Sequence, residues 1–339
     1  MTYGQTLLGI LGVLLFVGGG PAVAQESSVP DRYSFESVHM GTTFGIIAYA
    51  DGERRASAAA SEAFAYVARL DSLFSDYRPD SEASLLAGRA EAGRCTAVSR
   101  ELWALLLEAQ RWSERTGGLF DVTVGPLSRL WRWSARRGSL PPPERVHAAR
   151  AAVGFSGLKI HETERCVAFE RPGMSLDLGG IAKGFAADAM LDIMNRHGIE
   201  AALVDAGGDI VVGAPPPSSP GWLLALPGGD SLRLADAAVA TSGDTERHVI
   251  VDGIRYAHIV DPRTGFGVID APTVVVVAST ATTADVLASV LTIMDPAGGK
   301  ALVRTIGDVW ARSHGTTEWT TGPLSLHPES EHPTPPIHR

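Results

Sequence analysis

Apolar residues recur every three or four positions in several segments of the chain. Residues 56–74 show this spacing, which predicts an amphipathic helix. The same spacing covers residues 102–115, and Gly117-Gly118 directly afterwards is a suitable helix end. A third helix is predicted over 182–197, ending before Gly198. The chain is therefore predicted to contain several helices that each bury one face.

Other segments have the composition of strands and loops. The run TVVVVA at 273–278 predicts a buried strand that leads into a helix over 282–294. A further strand is predicted at 201–204, and GSLPPP at 138–143 is a loop and a candidate subdomain boundary. Strands and helices are mixed without a strict β-α-β rhythm. The predicted fold class is mixed α/β, of the α+β type.

The composition is that of a globular enzyme with ample apolar material for a core. Of the 339 residues, 45% are apolar and 20% are charged, and the net charge is −9. Lys and Arg form no dense stripe along the chain. Because binding to a phosphate backbone needs clustered positive charge, a nucleic-acid partner is not expected.

The N-terminal segment resembles an export signal. An apolar run from Leu7 to Val17 precedes Ala22-Val23-Ala24, a small-x-small cleavage pattern. The run is too short to span a bilayer comfortably, but the segment also lacks the Lys or Arg with which signal peptides usually start. An uncleaved anchor is therefore the alternative. The protein is expected to be periplasmic or otherwise exported, and membrane-associated if the segment is retained.

The rest of the chain divides into one large domain and a tail. Residues 1–24 are predicted to be the signal peptide, and the domain is predicted to cover residues 25–326. Residues 327–339 contain four prolines and one aliphatic residue. They are expected to be disordered.

The chain has two cysteines, Cys95 and Cys166. An exported protein can join them in a disulfide bond, but two isolated thiols fit the sequence equally well. The distance between their Cα atoms decides between these alternatives.

Four turns rich in glycine and aspartate interrupt the predicted helices and strands. Glycine lets a backbone approach a bulky ligand and leaves amide donors accessible. In the first turn, Gly179-Gly180 precede a helix N-terminus, which favours phosphate, and Lys183 adds a positive charge. The spacing is neither a Walker A loop nor GxGxxG. One such turn alone is more often a plain structural turn without a ligand. Four turns that each carry Asp or His predict a ligand-binding site. They are DLGGIAKG at 177–184, DAGGD at 205–209, TSGD at 241–244 and HIVDPRTG at 258–265.

A fifth feature lies in the last predicted helix. Asp285 and Ser289 are four residues apart, so they share one face near its N-terminus. A carboxylate and a hydroxyl are hard oxygen ligands, which magnesium prefers while it keeps waters and binds phosphates. The alternative is that Asp285 only complements the helix dipole.

Together these residues resemble the ApbE family, the FAD:protein FMN transferases, also called flavin-trafficking proteins. The resemblance extends from about His39 to Trp310 with the motifs in the same order. Besides the four turns it includes MGTT at 40–43, YRPDSE at 77–82 and FDVTVGPL at 120–127.

The resemblance implies an enzyme that uses Mg²⁺ as its cofactor and FAD as its substrate. A Thr hydroxyl of an acceptor protein attacks FAD, AMP leaves, and FMN stays attached through a phosphoester. The implied fold is mixed α/β, with antiparallel sheets, packed helices and FAD in a crevice between subdomains. The implied partner is an exported or membrane redox protein that accepts flavin. The protein is then expected to contact the membrane only through this acceptor or through an uncleaved N-terminal segment.

The resemblance also implies roles for individual residues. The FAD-contacting positions fall on Met40, Tyr77, Leu119, Phe120, Asp121, Asp177, Lys183 and Ile259. The magnesium positions fall on the Gly180 carbonyl, Asp285, Ser289 and the Ala288 carbonyl. The family commonly has Thr at the position of Ser289. The catalytic set is His258, Asp285 and Lys183.

Several roles have alternatives. His258 matches a histidine proposed to activate the acceptor hydroxyl, but it can instead contact the cofactor. Asp244 and Asp261 can serve only to cap their turns. Arg263 can pair with a phosphate or with Asp261. The whole protein can instead be an FAD pyrophosphatase that gives FMN and AMP, or a flavin carrier without catalysis.

Overall fold

The fold was analysed in a computed structural model, which describes residues 29–89, 93–227, 229–243 and 248–323. The predicted signal peptide at 1–24 and the predicted tail at 327–339 lie outside the described residues, as does Asp244 of the third glycine turn. No helix in the described ranges is long and apolar enough to cross a membrane.

An antiparallel sheet of eight strands forms the centre of the fold, in the order β1-β2-β6-β7-β10-β14-β15-β16. Its strands are β1 (Asp31–His39), β2 (Thr42–Ala50), β6 (Ala202–Ala206), β7 (Ile210–Val212), β10 (Ala237–Ser242), β14 (Thr273–Ala278), β15 (Trp310–His314) and β16 (Trp319–Thr321). Smaller sheets are formed by β3 (Thr96–Ala97), β4 (Leu158–His161) and β5 (Cys166–Phe169), by β8 (Trp222–Ala225) and β9 (Ser231–Leu234), and by β11 (His248–Val251), β12 (Ile254–Val260) and β13 (Gly267–Ile269). The predicted strand TVVVVA is β14, next to the centre of the large sheet.

The described residues form eight α-helices. They are α1 (Glu53–Phe74), α2 (Glu82–Arg89), α3 (Arg100–Arg115), α4 (Gly125–Arg137), α5 (Pro143–Ala151), α6 (Ala182–Arg196), α7 (Ala281–Ile293) and α8 (Pro296–Ile306). The four predicted helices correspond to α1, α3, α6 and α7, with ends within three residues of the expected ones. No apolar stripe marks α5 in the sequence, because Val146 is its only buried residue.

The main core lies between the large sheet and the helices α1, α3, α6 and α7. The inward side chains of β2 illustrate it: Phe44, Ile46 and Ala48 alternate with less buried residues and are fully buried. On the opposite face, the β8–β9 hairpin covers the sheet, with Trp222 packing in the same cluster as Val277 and Trp310.

A second, smaller core joins α4 and α5 to the sheet β11–β12–β13. Trp131 of α4 is its centre, since its indole Nε1 donates to the Ala257 carbonyl at 3.1 Å and its ring meets Tyr256 edge-on at 5.4 Å. The loop that begins at Gly138, the C-cap of α4, lies within this second unit rather than at its boundary. The predicted mixed α/β class with antiparallel sheets is confirmed.

Cys95 and Cys166 form a disulfide bond, with their Cα atoms 5.5 Å apart. The pairing of β3 with β5 places Ala97 opposite Cys166, which brings the two cysteines together. Of the two alternatives for the thiols, the bridge is therefore the correct one.

Candidate active site

The N-terminus of α7 is held in place by α6. Asp188 of α6 accepts hydrogen bonds from the backbone nitrogens of Ala281 and Thr282, at 2.7 and 2.9 Å, and from Thr282 Oγ1 at 2.6 Å. Thr280 caps the same helix by accepting a hydrogen bond from the Thr283 nitrogen at 3.2 Å. Three bonds to one half-buried carboxylate fix how the first turn of α7 sits against α6.

Glycine at position 184 lets the two helices meet. A Cβ atom there would lie 2.4 Å from the Ala281 carbonyl oxygen, which belongs to the backbone and cannot move aside. At this close approach the Gly184 nitrogen donates a hydrogen bond to Asp285 Oδ2 at 3.2 Å. The last glycine of the first turn therefore serves helix packing as well as positioning Asp285.

Lys183 links two buried carboxylates. Its ammonium forms an ion pair with Asp209, and its Nζ lies 3.8 Å from Asp285 Oδ2. Burial, followed by the nearby charge of Asp285, raises the pKa of Asp209 to about 7, against the opposing effect of Lys183. Burial likewise raises the pKa of Asp285. The two carboxylates share one ammonium group and disfavour each other's ionised form, so an additional cation beside them would be stabilised.

Asp285 is deeply buried for a carboxylate on a helix, since only 4% of the residue is exposed. The reason is that α7 is covered on nearly all sides, since it lies between α6 and the large sheet. Its carboxylate therefore faces the Lys183 cluster rather than open solvent, which argues against a role limited to the helix dipole.

The Ser289 hydroxyl lies one turn further along α7 than Asp285 and contacts two of the glycine turns. A Cβ on Gly180 would be 3.5 Å from Ser289 Oγ, so the first glycine turn touches this hydroxyl. Ser289 Oγ is also 3.4 Å from Ser242 Oγ, in the third glycine turn. The Ala288 carbonyl already accepts a hydrogen bond from Thr292 Oγ1 at 2.8 Å, so it is engaged within the helix.

The oxygens of this site are mostly neutral. Within the described part of the chain, no group of three or more His, Cys, Asp or Glu residues has the arrangement of a metal site. One carboxylate together with neutral oxygens suits magnesium, which usually keeps several waters and takes its remaining ligands from substrate phosphates. The donor set of Gly180, Asp285 and Ser289 therefore fits this ion.

The segment 119–121 forms one wall next to Gly180. The ring of Phe120 lies 3.5 Å from a Cβ placed on Gly180, and Phe120 is buried. Asp121 accepts hydrogen bonds from the Thr123 nitrogen and hydroxyl, at 2.8 and 2.6 Å, and from the Phe155 nitrogen at 2.8 Å. The carboxylate of Asp121 therefore holds the wall together, while Leu119 is half-buried beside it.

Asp177 begins the first turn, and Tyr77 lies in the segment between α1 and α2. Asp177 Oδ1 accepts a hydrogen bond from the Gly179 nitrogen at 2.9 Å, which shapes the turn. Tyr77 follows α1 and is 72% exposed. The guanidinium of Arg132 from α4 lies over its ring, 4.3 Å from the centroid.

Met40 lies at the tip of the β1–β2 hairpin. Met40 and Gly41 have φ angles of 50° and 74°, as a two-residue hairpin turn requires. The next residue, Thr42, packs against Gly207 so closely that a Cβ there would lie 2.3 Å from Thr42 Oγ1. The hairpin tip therefore abuts the second glycine turn, whose last residue is Asp209.

The fourth turn follows β12, on the smaller unit. His258 is exposed on this strand, Ile259 is half-buried, and the strand runs beside α7. Asp261 accepts hydrogen bonds from the Arg263 backbone nitrogen at 2.8 Å and from its guanidinium at 2.8 to 3.2 Å. Arg263 thus pairs with Asp261, and Asp261 caps its own turn.

The first three turns and α7 form one cluster, whereas the fourth turn belongs to the smaller unit. Two residues that position this cluster were not predicted from the sequence. Asp209 was recognised as part of a turn but not as the partner of Lys183, and Asp188 was not recognised as the anchor of α7. A signal existed for Asp209, because DAGGD ends on a carboxylate directly after a buried strand. No pattern in the sequence relates Asp188 to residues 281 and 282.

Sequence comparison relates the chain to a known protein family. The model of the ApbE family matches residues 40–311. The FAD:protein FMN transferase of Treponema pallidum (strain Nichols) is 31% identical over 324 residues, which cover 87% of this chain and 87% of the relative. The FAD:protein FMN transferase of Vibrio cholerae is 32% identical over 284 residues, which cover 79% of this chain and 84% of the relative.

Solved structures of flavin transferases have the same fold. The flavinyl transferase ApbE of Pseudomonas stutzeri, in its apo form, superimposes with a TM-score of 0.77 at 26% identity, over 86% of this chain and 95% of the other. The flavin transferase ApbE of Vibrio cholerae gives 0.78 at 28% identity, over 86% and 97%. The resemblance predicted between His39 and Trp310 is thus confirmed over nearly the same residues, and the chain belongs to the ApbE family.

Proposed function

We propose that this protein transfers the FMN half of FAD to a threonine hydroxyl of an acceptor protein and releases AMP. The relatives named above are FAD:protein FMN transferases. The observation that carries the proposal is that three glycine turns meet Lys183, Asp285 and Ser289, on two helices joined through Gly184. Such a cluster provides backbone donors and charge for a pyrophosphate.

The oxygens of Gly180, Asp285 and Ser289 would hold a magnesium ion next to Lys183. This ion would supply the positive charge that neutralises the pyrophosphate oxygens and would help to align them for displacement. Lys183 provides a second positive charge, and its pairing with Asp209 holds its ammonium at the site. The Ala288 carbonyl contributes least to this proposal, because Thr292 already binds it.

His258 is the residue proposed to accept the proton of the acceptor hydroxyl. The hydroxyl oxygen forms a bond to the FMN phosphorus, and the bond between this phosphorus and the bridging oxygen breaks. The electron pair leaves with AMP, and the proton moves to the imidazole. His258 is exposed on β12, a strand that contacts α7, so a protein substrate can approach it there.

Export of the protein is part of the proposal. The disulfide between Cys95 and Cys166 is typical of oxidising compartments such as the periplasm. Cleavage after Ala24 would start the mature chain at Gln25. Mass spectrometry of the N-terminus tests this, and a cytosolic protein that retains Met1 would contradict it.

The direct test of the transfer reaction uses the intact mass of an acceptor. The purified protein is incubated with FAD and Mg²⁺, with and without an exported acceptor domain that contains the target threonine. We expect the acceptor to gain one FMN less one water, and an acceptor with valine in place of the threonine to gain nothing. Release of AMP and free FMN at the same rate with either acceptor would instead identify an FAD pyrophosphatase. Binding of FAD without release of AMP would identify a carrier.

A further inference from the structure

One face of the Tyr77 ring is covered and the other is open. The guanidinium of Arg132 lies over the ring at 4.3 Å from its centroid, yet the tyrosine remains 72% exposed. A guanidinium plane stacks well on an aromatic ring, and the contact holds the ring in one orientation. An exposed aromatic ring that is held on one side offers its other side to a planar ligand.

Arg132 is itself held firmly. Its Nη2 donates to Asp76 Oδ2 at 2.5 Å, and the two side chains are only 24% and 12% exposed. Asp76 directly precedes Tyr77, so the ion pair and the ring contact connect α4 with the segment that follows α1. Burial, and next the charge of Asp177, raises the pKa of Asp76, while Arg132 opposes this shift. Asp177, the first residue of the first glycine turn, is therefore close enough to Asp76 for its charge to act on that carboxyl.

We propose that Arg132 is a positioning residue for FAD, which acts by holding the ring of Tyr77 so that its open face stacks on an aromatic ring of the substrate. The inference rests on the proposed function, because Tyr77 is an expected FAD contact. Arg132 does not touch FAD in this account. Arg132 restricts the rotation of the Tyr77 side chain already in the free protein. Less side-chain entropy is then lost when FAD binds, and FAD binds more tightly.

A double-mutant cycle separates this role from a structural one. FAD affinity is measured by fluorescence titration for wild type, Arg132→Met, Tyr77→Ala and the double variant, each checked by thermal unfolding. Arg132→Met should raise the Kd for FAD about five- to tenfold, the range of a cation–π contact, and leave kcat at saturating FAD unchanged. In the Tyr77→Ala background the same change should raise Kd less than about twofold, because Arg132 no longer has a ring to hold.

The chain offers a matched control and a conservative variant. Arg137 lies over the ring of Trp133 at 4.7 Å, also on α4, so Arg137→Met removes a similar contact and should leave the Kd for FAD unchanged. If Arg132→Met fails to fold, Arg132→Lys replaces it, since the ammonium still pairs with Asp76. The lysine has no planar group that can pair with Asp76 and stack on Tyr77 at the same time. The Kd of the Arg132→Lys variant for FAD should therefore rise about threefold.

The outcomes distinguish this inference from the proposed function. Additive effects of Arg132→Met and Tyr77→Ala, or a wild-type Kd in the folded Arg132 variants, would overturn the role of Arg132 while FMN transfer stands. A wild-type protein that binds no FAD would overturn the proposed function and this inference with it.

Discussion

The backbone nitrogen of Gly184 donates a hydrogen bond to Oδ2 of Asp285 at 3.2 Å, although 101 residues separate the two in sequence. The bond exists because α6 and α7 approach until a Cβ on Gly184 would lie 2.4 Å from the Ala281 carbonyl oxygen. The carboxylate proposed to bind magnesium is thus oriented by the helix that carries Lys183. Helix packing and site geometry both depend on the close approach at Gly184. Adding one methyl group there, by Gly184→Ala, tests this dependence.

Gly184→Ala should force the two helices apart. We expect the free energy of unfolding to fall by about 1–3 kcal/mol, the usual effect of overpacking a core. We also expect the Mg²⁺ concentration for half-maximal activity to rise, because Asp285 loses its donor. Urea unfolding and a Mg²⁺ titration of FAD cleavage measure these effects. Gly88→Ala is the control, since a Cβ there has nothing within 4 Å. Equal behaviour of the two variants would contradict the prediction.

Asp188→Asn tests the anchor of α7. Both carboxylate oxygens of Asp188 accept hydrogen bonds, and the amide nitrogen of asparagine cannot accept one. At least one donor at the start of α7 loses its acceptor, so the free energy of unfolding should fall by about 1–3 kcal/mol. Burial raises the pKa of Asp188 above its ordinary value of 3.8, against the hydrogen bonds from Thr282 and Ala281. The native state therefore keeps a proton that the unfolded state has released.

The sign of the pH effect follows from this difference. As pH rises from the unfolded pKa through the raised native pKa, the free energy of unfolding should decline, since the native state binds more protons. Asp188→Asn should remove this part of the decline. Urea unfolding at several pH values above about 4 measures it. An unchanged slope in the variant would show that the carboxylate of Asp188 does not titrate in this way.

His258→Ala should lower kcat more than it raises KM for FAD. A residue that accepts a proton acts mainly in the transition state, so its removal affects turnover rather than substrate binding. Steady-state kinetics with an acceptor domain give both constants. An increase in KM with an unchanged kcat would identify His258 as a cofactor contact, the other role expected from the sequence.

Removal of the disulfide should destabilise the fold. The bond closes a loop of 71 residues, and the chain-entropy model assigns about 4 kcal/mol to a loop of this length. The Cys95→Ser, Cys166→Ser double variant should therefore unfold at a clearly lower urea concentration. Wild type in a reducing buffer should show a similar shift. If neither condition changes the midpoint, the bridge adds nothing to stability.

The parts of the fold that the sequence predicted are those with a strong local pattern. The residues of α1 and α3 repeat apolar positions at helical spacing, and β14 is a run of valines, so local rules suffice. The helix α4 begins with Gly125-Pro126, which resembles a turn, and its helical state depends on packing of Trp131 against β12. Tertiary contacts of this kind are not visible in a single segment.

The candidate site divides in the same way. Helix geometry predicts that Asp285 and Ser289 share one face, and the glycine turns can be recognised directly in the sequence. The ion pair of Lys183 with Asp209 arises because β6 and β7 place the second turn beside α6. The burial of Asp285 depends on the layers around α7. Pairings between distant segments are set by the sheet order, which no local pattern specifies.

The central claim is that Asp285 is the charged ligand of a magnesium site that cleaves FAD. The most direct measurement is the amount of AMP released and of FMN bound to an acceptor, as Mg²⁺ is titrated into wild type, Asp285→Asn and Ser289→Ala. Asparagine keeps the shape of the buried side chain, so thermal unfolding should confirm that this variant folds. We expect Asp285→Asn to lose more than about 100-fold in both products at every Mg²⁺ concentration. Ser289→Ala should recover with added Mg²⁺, because water readily replaces a hydroxyl ligand. Wild-type rates from a folded Asp285→Asn protein would contradict the account.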